Sequence, residues 1–143
     1  MEKFFNPAEE ERMIAAIQQA ESCTSGEIRV HVDYKSKGNV MEEAWKIFER
    51  LGMQKTEARN GVLILIAPDQ KQFAIIGDEG INKKVPENFW AEERNLMQNH
   101  FKKGEFCTGI CVVIEQVGRK LQEFFPHQED DVNELPDEIS YDH

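Results

Sequence analysis

Val62-Leu63-Ile64-Leu65-Ile66-Ala67 is the longest uninterrupted apolar run in the chain. It is too short for a core helix and far below the ~20 residues of a membrane span, and it fits a strand buried on both faces. On its C-terminal side Pro68-Asp69-Gln70-Lys71 carries turn chemistry and leads into Phe73-Ala74-Ile75-Ile76, so the two runs read as an antiparallel hairpin. On its N-terminal side Ile28, Val30 and Val32 alternate with Glu27, Arg29, His31 and Asp33, the period of a strand with one apolar face. Between these strands Asn39 and Glu42 form a capping box ahead of a helical stripe, Val40, Ala44, Ile47, Phe48 and Leu51, which Gly52 ends. Strand, helix and strand in this order predict a right-handed parallel crossover.

Further helices cover the sheet. Asn6, Pro7 and Glu9 mark the start of one that runs to about Glu21, with Met13, Ile14, Ile17 and Ala20 on one face. Pro86 opens another, with Phe89, Trp90, Leu96, Met97 and Phe101, closed by Lys102-Lys103-Gly104. The last carries Phe106, Ile110, Val113, Ile114, Val117, Leu121 and Phe124 and stops at Phe125-Pro126. One domain over residues 1–126 is expected, followed by an acidic tail, 127–143, in which Val132, Leu135 and Ile139 dock at most loosely.

The tail holds Glu129, Asp130, Asp131, Glu134, Asp137, Glu138 and Asp142 and no Lys or Arg, which accounts for most of the net charge of −10. The other 126 residues carry 17 basic against 20 acidic side chains and offer no basic stripe, so nucleic acid is not the expected partner. The tail itself suits a protein partner with a basic surface. Cys23, Cys107 and Cys111 cannot all pair, and reduced, structural thiols are expected. The opening Met1-Glu2-Lys3-Phe4-Phe5 lacks the apolar stretch of a signal peptide, so a cytoplasmic location without membrane insertion is expected.

The topology brings candidate chemistry to one rim. An antiparallel third strand delivers Asp78 and Glu79 beside the loops that lead into the first two strands, Ser25-Gly26-Glu27 and Glu57-Ala58-Arg59-Asn60. Asp78, Glu79, Asn82, Asn60 and Glu57 are hard oxygen donors of the kind Ca2+ takes, flanked by Gly77 and Gly80. An ordinary solvated turn is the competing reading. An EF-hand is excluded, because counting from Asp78 places Gly80 at a ligand position and Phe89 where the closing Glu belongs. His31 and His100 have no second histidine at metal-ligand spacing, and His31 reads as a surface or satisfied core residue. No phosphate loop, nucleophile elbow or zinc-hydrolase motif occurs. Lys83 and Lys84, with Arg59, could hold an anion beside a metal, the pairing of a metal-assisted phosphatase.

Ser25-Gly26-Glu27-Ile28, Asn60-Gly61-Val62-Leu63, Gly77-Asp78-Glu79-Gly80 and Phe101-Lys102-Lys103-Gly104-Glu105-Phe106 with Gly109 occur in an order and spacing that resemble the TPM-domain family. That family includes bacterial proteins, thylakoid-lumen proteins linked to photosystem repair and a nematode receptor-associated protein. The resemblance covers roughly residues 22–125 and implies a three-layer α/β/α sandwich with a small mixed sheet, in agreement with the crossover and hairpin above. It also implies Ca2+ binding and a weak acid-phosphatase activity of the kind reported for plant members. Carried onto this chain, the positions it places at a family site are Asn60, Asp78, Glu79 and Glu105. Relatives often have an acid before the Asn-Gly pair, where this chain has Arg59.

Overall fold

The computed structural model describes residues 4–126 and 138–142. In chain order the elements are α1 (Pro7–Glu21), β1 (Glu27–Asp33), α2 (Val40–Arg50), β2 (Gly61–Ala67), β3 (Gln72–Gly77), α3 (Glu79–Asn82), α4 (Phe89–Lys102), α5 (Phe106–Phe124) and β4 (Ser140–Asp142), with 3-10 turns at Met53–Lys55 and Pro68–Gln70. They form a four-stranded sheet of order β3-β2-β1-β4. β2 is buried along its whole length, and each of its large side chains contributes about 2 kcal/mol by leaving water. β1 lies parallel to it, Ile28 opposite Val62 and Val32 opposite Ile66, while β3 returns antiparallel with Gly77 opposite Val62.

Period two divides the sheet into two faces. Leu63, Leu65, Ala74 and Ile76 pack with Ala44, Ile47 and Phe48 of α2. Val30, Val32, Val62, Ile64 and Ile66 pack with Met13 and Ile17 of α1, Met97 of α4 and Val113 and Val117 of α5. This is the expected α/β/α sandwich. The first capping box forms in full, Asn6 Oδ1 accepting from the Glu9 amide at 2.8 Å and Glu9 Oε1 from the Asn6 amide at 3.0 Å.

Two elements differ from expectation. The Gly-Asp-Glu-Gly turn continues into α3, a single turn capped by Asp78, whose side chain accepts from the Glu79 amide at 2.7 Å. Four residues are too few to show a helical period, and α4 then begins at Phe89 rather than Pro86. Within the stretch read as a tail, Ser140–Asp142 pair in parallel with His31, Val32 and Asp33, and Ile139 is buried in the core. A three-residue strand likewise has no readable period. Residues 127–137, including Val132, Leu135 and most of the acids assigned to a basic partner, lie outside the described residues. Among those described, no helix is long and apolar enough to cross a membrane.

Candidate functional site

The end of β3 fixes the rim. The Asp78 amide donates to the Gly61 carbonyl at 2.9 Å, which holds the carboxylate at the amino end of β2. Asp78 is 3% exposed, and both its oxygens are taken by one guanidinium: Arg59 Nε lies 2.7 Å from Oδ2 and Arg59 Nη2 2.9 Å from Oδ1. Arg59 Nη1 reaches Glu79 Oε1 at 3.4 Å. The hydrogen bond to Asp78 raises the Arg59 pKa further above its ordinary value. Arg59 adopts a left-handed backbone, φ 52°, and its carbonyl accepts from the Gly80 amide at 2.8 Å. A Cβ at Gly80 would stand 2.1 Å from the Ala58 carbonyl oxygen, so the loop before β2 and α3 meet only because position 80 has no side chain.

The other expected ligands go elsewhere. Asn60 is buried and ties the two strand-leading loops together. Its carbonyl accepts from the Glu27 amide at 3.4 Å, and its Nδ2 donates to Ser25 Oγ at 3.3 Å. Asn82 Oδ1 accepts from Trp90 Nε1 at 3.0 Å. Glu105 stands at the opposite rim: it precedes Phe106, which shares a cavity with Ala67 and Pro68 at the carboxyl end of β2, about 20 Å along that strand from Gly61. Its carboxylate meets His100 Nδ1 at 2.9 Å. Lys84 Nζ sits 5.7 Å from the centroid of the Phe125 ring, a cation–π contact rather than an open phosphate clamp. Among the described residues no group of three or more His, Cys, Asp or Glu side chains is placed to hold a metal ion. Asp78 and Glu79 still have the hard-oxygen chemistry of Ca2+, and the Arg59 guanidinium occupies the place a cation would take against Asp78.

A second polar cluster escaped the sequence reading. Glu27, Arg29, His31 and Asp33, the polar half of the β1 alternation, are all buried. His31 Nδ1 lies 2.6 Å from Ser140 Oγ and its Nε2 3.0 Å from Asp142 Oδ2, which Arg50 also binds. Burial lowers the His31 pKa, against the raising effect of Asp142. For Asp142 burial acts upward, but hydrogen bonds from Arg50 and His31 outweigh it and hold the carboxyl below its ordinary value. A neutral His31 therefore donates from Nε2 to the carboxylate and accepts at Nδ1 from the Ser140 hydroxyl. Arg29 Nε also reaches that hydroxyl, at 3.4 Å, so the cluster fastens β4 to β1. The only sequence signal was the alternation itself.

Burial also raises both helix thiols, Cys111 to about 11, consistent with structural rather than reactive cysteines. Glu93 is a further buried acid, on the apolar stripe of α4 between Phe89 and Met97, with Oε2 lacking a hydrogen-bond partner among the described residues. Its spacing of four from each neighbour was a legible sign of burial.

The model of the TPM domain matches residues 1–120. The chain belongs to the TPM-domain family. The chain is similar over 99% of its length to the NMR structure of the BA42 protein from the psychrophilic bacterium Bizionia argentinensis, with 43% identity, 97% of that chain covered and a TM-score of 0.91. It shares its fold with the N-terminal domain of a protein from P. gingivalis (19% identity, 87% of this chain and 83% of that one, TM-score 0.69). The N-terminal domain of the cg2496 protein from Corynebacterium glutamicum is a further structural neighbour (14% identity, 82% and 74%, TM-score 0.65). A search of curated proteins returns no significant match.

Proposed function

We propose that this TPM domain is a binding module whose Asp78–Glu79 rim takes a divalent cation, Ca2+ in particular, in exchange for Arg59. The observation that carries the reading is that the buried Asp78 carboxylate is satisfied by a guanidinium whose own side chain is 41% exposed. That arm can swing into solvent with its charge hydrated, leaving two adjacent carboxylates with the hard oxygens that Ca2+ prefers. With only Asp78 and Glu79 as charged ligands and water in the remaining positions, affinity falls in the weak range, about 10⁻⁴ to 10⁻³ M.

Ca2+ titration of the full chain, followed by amide NMR, tests this. Saturable shifts are expected at residues 58–60 and 78–82. Arg59→Gly, which also suits the left-handed backbone, is expected to tighten binding about tenfold by removing the competing cation, and Asp78→Asn to abolish it. Shifts confined to residues 127–143, or an Arg59→Gly protein with unchanged affinity, reject the reading.

A further inference from the structure

At the carboxyl end of β2, the rim opposite Asp78, a cavity of about 510 Å3 opens between the sheet and the helices. Volumes of ~300–1,000 Å3 are those of small-molecule sites, and the carboxyl ends of strands are where open α/β sheets hold their ligands. Phe4, Phe73, Phe101 and Phe106 line it. Their rings meet edge to face, with centroids 5.2 Å apart for Phe4–Phe106 and Phe73–Phe101 and 5.0 Å apart for Phe101–Phe106. Phe106 stays 36% exposed, so the cluster is an open aromatic wall rather than closed core.

The polar lining has one sign. Lys71 and Lys102 border the cavity together with two glutamines, and among the described residues no Asp or Glu lines it. Glu105, the acid next to Phe106, is engaged by His100. A site whose charged border, among the described residues, is cationic, in a chain of net charge −10, selects for an anion by complementarity, while the ring cluster selects for a flat apolar body. Lys71 is set in place by a left-handed turn residue conformation, φ 55°, with its amide donating to the Pro68 carbonyl at 3.0 Å.

We infer that this cavity binds a small aromatic carboxylate, its ring packed on the phenylalanine cluster and its anionic group drawn to Lys71 and Lys102. The site shares no residue with the Asp78 rim and does not depend on cation binding there. The probe is 2-naphthoate, titrated into the full chain and followed by amide NMR, with 2-naphthylmethanol as the uncharged ring of the same shape. Saturable shifts are expected at residues 66–73 and 98–106. Lys71→Asn with Lys102→Gln is expected to weaken naphthoate about tenfold and leave naphthylmethanol unchanged. Asn tolerates the left-handed backbone at 71. As a second variant, Gln98→Glu on the exposed border adds a carboxylate and is expected to weaken naphthoate alone. Naphthoate shifts that do not saturate or that fall elsewhere overturn the inference. So does an equal loss for both probes, or unchanged naphthoate affinity in the charge variants.

Discussion

Replacing Glu93 by Gln turns a buried acid into a measurable dependence of stability on pH. Glu93 is 5% exposed, and burial, with a smaller contribution from Glu92, raises its carboxyl from 4.5 to about 7. Because the folded value is the higher one, the folded protein holds a proton that the unfolded chain has already released between pH 4.5 and 7. The stability Glu93 supports is therefore complete below pH 4.5 and is lost as pH rises through about 7. At 1.36 kcal/mol per unit the loss is about 3 kcal/mol across that window. Glutamine has no charge to lose, but its amide leaves donors unsatisfied at a cost of about 1 kcal/mol. Glu93→Gln is thus expected to be about 1 kcal/mol less stable than the parent near pH 4.5 and about 2 kcal/mol more stable at pH 8. Urea midpoints by circular dichroism at pH 4.5, 6, 7 and 8 give the comparison, and the difference between the two proteins isolates residue 93 from other titrating groups. A stability difference that stays constant with pH refutes the reasoning.

His31 moves the other way. Its folded pKa lies below its unfolded value of ~6.5, so the stability of the neutral imidazole is complete above ~6.5 and is lost as pH falls from there through the lower folded value. Asp142→Asn removes the anion that raises the His31 pKa and lowers it further, followed by the imidazole Cε1–H shift in an NMR pH titration; an upward movement would contradict the assigned pairing. The same variant should cost about 1–2 kcal/mol in urea, since it weakens the fastening of β4. Gly80→Ala drives a Cβ into two backbone carbonyls, 2.1 Å from Ala58 O and 2.5 Å from Arg59 O, and is expected to cost about 2–4 kcal/mol and lower Tm by about 10 °C. A change in Tm under about 2 °C would mean that the loop before β2 can yield.

The two rims also differ in what their chemistry demands. At the Asp78 end, charge is already paired within the chain, so any cation must displace Arg59. At the Ala67 end the aromatic wall and its two lysines have, among the described residues, no acid lining the cavity. Glu105, expected with Asp78 in one site, belongs to neither: it bonds His100 and starts α5. The resemblance had placed it with residues that the length of β2 keeps apart.

By itself the sequence determined the layers. Apolar period two at 28–32, the unbroken run at 62–67 and the helical stripes of α1, α2 and α5 are set by neighbours a few residues away, and each element forms where its pattern lies. The antiparallel return of β3 followed from a short turn and brought Asp78 to the Asn60 loop as expected. Only the tertiary structure decided the fates of charged side chains. Arg59 closing on Asp78, His31 meeting Ser140 and Asp142 more than 100 positions away, and β4 covering the edge of β1 all depend on distances that no local period encodes. A charged group's role is set by what desolvates and pairs it, and those partners come from distant parts of the chain.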